Sequence, residues 1–142
     1  MKNIGYRFLI ITGYFVLLGG LFDIAMTFYS STLPAAHLSY LKLNDEVVPV
    51  ELKSLDKALL RAIGGCLIAI GLGTLTIVHI GIKSAPKPSI IGILSMITIA
   101  EGINAIQMYL ISSPYFVFPL LCVTLTWVGT LIWFFGKDSR LN

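Results

Sequence analysis

Charge is what this sequence has least of. Only 12% of its 142 residues are Asp, Glu, Lys or Arg, about half of the roughly 25% usual in soluble domains. The shortage is uneven. Four long apolar stretches contain just Asp23, Arg61 and Glu101, and every other charged residue sits at an end or in a connection. Each charge at a helix centre raises the cost of membrane insertion by about 2.5–3.5 kcal/mol, so this distribution points to a membrane chain and away from a soluble enzyme. Cysteine is scarce too. Cys66 and Cys122 form no C-x-x-C pair and no metal-ligand spacing, which excludes a zinc module and says nothing about redox compartment. His37 and His79 are the only histidines, and a lone His without a second ligand makes no metal site. The net charge of +3 does not imply nucleic acid, because the basic residues flank apolar runs and form no basic face.

What is present is length without charge. A helix needs about 20 apolar residues to cross the hydrocarbon core, and the hydropathy pattern predicts crossings over about 8–28, 58–82, 88–111 and 115–135, with an outer loop over 29–57. The first run exceeds a signal-peptide core of about 7–15 residues, so it reads as a true span. The fold class expected is all-α: a transmembrane four-helix bundle in one domain covering 1–142. The second connection (83–87) and the third (112–114) are tight, which makes the helices they join antiparallel neighbours. Pro88 and Pro114 suit helix starts, where a missing N–H costs nothing.

Orientation follows from Lys and Arg. The termini and the second connection hold Lys2, Arg7, Lys83, Lys87, Lys137 and Arg140, opposed only by Asp138. The first connection balances Lys42, Lys53 and Lys57 against Asp45, Glu46, Glu51 and Asp56. By the positive-inside rule both termini are cytoplasmic. In the outer loop, Tyr40–Leu43 and Glu46–Leu52 flank Asn44-Asp45 as a short hairpin, with Pro49 at its edge. Ser54 or Asp56 is expected to cap the second span. The loop reads as a lid over the bundle or as a gate over a ligand.

Small residues set the expected packing. Ala62, Gly65, Ala69, Gly73 and Thr76 recur at steps of three and four, a face that lets backbones approach closely in lipid. Gly13, Gly19 and Gly20 make span one the expected partner.

Depth makes the polar residues informative. At about 1.5 Å per residue, Asp23, Arg61 and Gln107 share a level about 5–8 Å inside the outer ends, Asn104 lies deeper, and Glu101 lies about 15 Å in, near the midplane. Charges at such depth turn inward and pair. Asp23 and Arg61 are therefore expected to form an ion pair between spans one and two, with Glu101 extending it through Asn104 or staying protonated. Asp23, Arg61, Glu101, Asn104, Gln107 and Trp127 form the expected ligand-binding set. Phe118, Tyr115, Met26 and Met108 join Trp127 as apolar walls. A purely structural clasp is the competing reading, and both stay open here.

The stretch Leu60-Arg61-Ala62-Ile63-Gly64-Gly65-Cys66-Leu67-Ile68-Ala69-Ile70-Gly71 resembles small bacterial four-span proteins of the DoxX-like kind, whose second span opens with an Arg before a Gly-rich run. The resemblance implies a bacterial inner-membrane location and a link to quinone-dependent oxidoreductases. It carries over only Arg61 and the glycines, and no catalytic residue. Three functions follow as expectations. The first is a non-catalytic protein that binds a lipid or quinone in its outer half, or serves as an accessory subunit of a membrane complex or homo-oligomer. No other cofactor is expected. The second is a membrane-embedded enzyme, such as a lipid or sterol-like isomerase, using Glu101 and Asp23 as acid and base. The third is a small transporter.

Overall fold

The computed structural model describes residues 2–136. Among these, the chain is helical throughout its regular structure. Helix α1 spans Lys2–Tyr29, α2 Ala35–Leu41, and α3 Val50–Thr76, which continues through a π turn (Ile77–Gly81) and a closing turn (Ile82–Ser84). Helix α4 spans Pro86–Leu110 and α5 Val117–Phe135, with 3-10 turns at Asp45–Val47 and Pro114–Phe116. The charged tail residues Lys137, Asp138 and Arg140, used above for orientation, lie outside the described residues.

Four helices are long and apolar enough to cross a membrane: Lys2–Tyr29, Val50–Ser84, Pro86–Leu110 and Pro114–Phe135. Their surface fits an integral membrane protein. Phe15, Leu18, Phe22, Ile99, Ile106 and Leu131 are exposed, whereas Thr12, Thr74, Thr126 and Thr130 are buried. An apolar exterior of this extent would be an aggregation hazard in water. In lipid it costs nothing, and small or weakly polar residues take the helix–helix seams. Thr12 and Thr126 donate their hydroxyls to the carbonyls of Phe8 and Cys122 one turn back, so they pack without an unmet hydrogen bond.

The packing order is α3–α1–α5–α4. Helix α1 makes its most extensive contact with α3 and its second with α5, and α4 lies along α5. Helices α4 and α3 meet mainly around the π turn and closing turn. Glycine creates both α1 seams. A Cβ on Gly20 would sit 2.5 Å from the Gly64 carbonyl oxygen, one on Gly71 would sit 2.7 Å from the Leu17 nitrogen, and one on Gly5 would sit 2.5 Å from the Gly129 carbonyl oxygen. Only a residue without Cβ allows these approaches.

The expected packing face is corrected here. Ala62, Gly65, Ala69 and Thr76 are exposed, and a Cβ on Gly65 or Gly73 would meet nothing within 4 Å. The buried face of α3 is Gly64, Leu67, Gly71 and Thr74. Glycines occupy two faces of this helix. The one that docks is the one whose partner, Gly20, also lacks a side chain.

The loop expectation is also corrected. No strand forms over Tyr40–Leu52; the segment is helix, 3-10 turn and the start of α3. Pro49, rather than Ser54 or Asp56, precedes the first turn of α3 and supplies no side-chain cap. At about 1.5 Å per residue, the 35 residues from Val50 to Ser84 are several turns longer than a crossing of about 30 Å requires, and the first turns of α3 hold its charged residues Glu51, Lys53, Asp56 and Lys57. The α2 segment is pinned to them by side chains. His37 Nδ1 lies 2.6 Å from Asp56 Oδ1. Asp45 accepts from Lys53 Nζ at 2.6 Å and from the Leu33 N–H at 3.0 Å.

The Lys53 bond, joined by the Leu33 amide and the Lys53 charge, holds the Asp45 carboxyl below its usual value. A carboxyl whose folded pKa is depressed contributes stability above its unfolded value and loses it as pH falls through the folded one. Protection of the Leu33 amide from hydrogen exchange is therefore expected to fall as pH drops below the usual carboxylate range. In Lys53→Met that loss should begin at higher pH. An unchanged profile in the variant would show that Lys53 does not tune Asp45.

Candidate functional site

Three of the six residues expected at the site do converge. Asp23 projects from α1 near its cap end, the end that carries α2, and Glu101 and Asn104 lie one turn apart on α4. All three line one cavity of about 480 Å³. Glu101 is 3% exposed, and its only hydrogen bond among the described residues is a long one, from Asn104 Nδ2 to Oε2 at 3.4 Å. Asp23 accepts none among the described residues. The two carboxyls line the same cavity from different helices.

The expected Asp23–Arg61 ion pair is absent among the described residues. Arg61 Nε instead donates to Thr27 Oγ1 at 2.9 Å, and its guanidinium lies over the Phe28 ring, 4.8 Å from the centroid. It reaches along its stem toward the cap end of α1, the common course of a long basic side chain in an apolar helix. Equal depth did not bring the pair together, because the Arg61 side chain, on the α1 seam one turn before Gly64, is taken up by Thr27 and Phe28, one turn beyond Asp23 on α1. Gln107 and Trp127 are exposed and line no part of the cavity. Nor does Met26. Arg61→Ala is expected to lower stability by about 1 kcal/mol, the net worth of one such hydrogen bond. Occupancy of the cavity should change by no more than about twofold, as for a substitution remote from a site. A complete loss of occupancy would return Arg61 to the site.

The walls are apolar. Phe15, Val16, Leu18, Gly19 and Phe22 come from α1, and Leu67 from α3. Met108 comes from α4, and Tyr115, Phe118, Pro119 and Cys122 from the α5 side. Tyr115, Phe118 and Met108 were expected. The α1 wall was not, although Phe15, Gly19, Phe22 and Asp23 share a helical face at steps of three and four, a signal available from the sequence. Leu18, Phe22, Tyr115 and Phe118 are each more than half exposed. The cavity therefore opens through the outer wall of the helices, between α1 and α5, while its floor reaches the buried Glu101. Cys122 is buried and Cys66 exposed, and both are free thiols, so they form no redox pair. Among the described residues no group of three or more His, Cys, Asp or Glu side chains is placed to hold a metal ion.

The fold and site together define an all-helical chain with four helices capable of spanning a membrane and a lateral, carboxyl-floored cavity. Comparison with protein-family models, curated proteins and solved structures gives no match.

Proposed function

We propose that the chain is a non-catalytic integral membrane protein that binds a hydrophobic molecule of lipid or quinone type in the half of the bundle nearer the cap. The observation that carries this reading is the lateral opening of the cavity. Its exposed rim residues face the side where acyl chains would lie, and a ligand dissolved in the bilayer reaches Glu101 without crossing water. Apolar walls with a few convergent polar groups are the usual form of a small-molecule site. In this reading the helices form an antiparallel bundle. Support comes from the seam between α1 and α3, where Thr27, Gly20 and Leu17 meet Arg61, Gly64 and Gly71 in turn. By the positive-inside rule, Lys83 and Lys87 support a cytoplasmic second connection and, with it, cytoplasmic termini. The cap and the cavity then belong to the outer leaflet of a bacterial inner membrane, in keeping with the resemblance to DoxX-like proteins. Association with a larger membrane complex or a second copy is compatible with this role.

Photolabelling tests it. A long-chain alkyl diazirine, irradiated with the protein in native membranes, should mark cavity-wall residues of α1 and α5, such as Phe22 and Phe118, above the general lipid-facing background. Uniform labelling around the helices would overturn the proposal.

One observation favours an enzymatic alternative: both carboxyls share the cavity, as acid–base catalysis on a membrane-dissolved substrate requires. In that case Glu101 moves the proton and Asp23 is the second acid or the charge stabiliser. Glu101→Gln would then abolish turnover of the substrate while leaving its binding in place.

A further inference from the structure

The polar groups of the cavity are unbalanced in charge. Its walls bring in two carboxyls, Asp23 and Glu101, and no Lys, Arg or His. Arg61, the cation expected at this depth, is committed to Thr27 and Phe28. Glu101 is more than nine-tenths buried and lines the cavity, and among the described residues one of its oxygens is unbonded and the other is held only by the long Asn104 contact. A buried acid usually has a partner, either a protein cation or a set of donors. Among the described residues the cavity supplies no cation and a single long donor contact, while the space beside it is open and mostly apolar. The missing partner is therefore a feature of what enters.

Resting on the proposed binding function, the geometry points to a lipophilic amine as the ligand: an apolar body in the α1–α5 cleft with one protonated amino head between Asp23 and Glu101. An ammonium brings up to three donors and a positive charge, which matches two carboxyls whose one donor contact among the described residues is the long one from Asn104. An anionic head would meet two acids and no base. A carbonyl or quinone head brings only acceptors to a floor of acceptors, leaving the Tyr115 hydroxyl, the Asn104 amide and a protonated acid as its donors. The exposed aromatic rings at the mouth also favour a cation in passage, since ring faces attract positive charge.

The test is competition against the neutral alkyl diazirine with one apolar body carrying four heads: 1-adamantylamine, 1-adamantanol, 2-adamantanone and adamantane-1-carboxylate. With wild-type protein in nanodiscs at neutral pH, the amine is expected to displace the label at about tenfold lower concentration than the alcohol, as a charge-assisted hydrogen bond outweighs a neutral one. The carboxylate should compete least. In the D23N/E101Q double variant the amine advantage should vanish while diazirine labelling of the cleft persists. That persistence also shows that the variant is folded, and each single variant can be scored the same way. If the ketone or the alcohol matches or beats the amine on wild-type protein, the amine assignment is wrong and the binding function stands. If the diazirine never labels the cleft, the binding function itself is wrong.

Discussion

Replacing Gly19 with leucine is expected to empty the cavity of ligand while leaving the protein folded. Gly19 lines the cavity, and a Cβ built there meets nothing within 4 Å. The new side chain would enter space that the ligand uses. Competing for filled volume costs about 1–3 kcal/mol, so affinity should fall roughly 5–150-fold. Diazirine labelling of Phe118 reports the loss, and an unchanged melting temperature reports the intact fold. If Gly19→Leu labels like wild type, the proposed site is wrong.

The neighbouring glycine should behave oppositely. Gly20→Leu is expected to break the seam between α1 and α3, because even its Cβ would lie 2.5 Å from the Gly64 carbonyl oxygen and 2.8 Å from the Ile68 nitrogen. Those atoms belong to helix backbone and cannot swing aside. Overpacking of a close seam costs about 1–3 kcal/mol even where side chains can shift, and here the helices must part. Unfolding in a detergent titration should shift to markedly lower denaturant, or the protein should fail to accumulate. Gly65→Leu on the opposite face is the control, since a Cβ there meets nothing, and it should change stability by no more than about 0.5 kcal/mol. Equal tolerance of leucine at Gly20 and Gly65 would contradict the packing described above.

The paired glycines show how much was legible beforehand. The position of every span was readable, because hydrocarbon thickness demands a charge-free run and the sequence has four. The ends were less so. Spans expected over 8–28 and 58–82 extend to Lys2–Tyr29 and Val50–Ser84. Hydropathy registers only the apolar core, whereas backbone hydrogen bonding carries a helix on into the polar region. Depth along each helix was also readable and put Asp23, Asn104 and Glu101 in one half of the bundle. Direction around each helix was not. Both Gly64 and Gly65 fit a small-residue face, and the choice between them depends on a partner surface 44 residues away at Gly20. The same gap in azimuth is why Arg61, Gln107 and Trp127, grouped with the others by depth, do not line the cavity, whereas Phe15, Gly19 and Phe22 do. The cap was misread for a different reason: the segments flanking Asn44-Asp45 resemble a hairpin, but Pro49 stands ahead of a helix that runs on unbroken to Thr76.

The central claim is that Asp23 and Glu101 share a cleft entered from the membrane. An experimental density map of the protein in lipid nanodiscs tests it most directly. The account predicts elongated non-protein density between Phe22 and Phe118, with its polar end within hydrogen-bonding distance of Glu101. A closed contact between α1 and α5 at that level, with Glu101 sealed by side chains and no density beside it, would contradict the account.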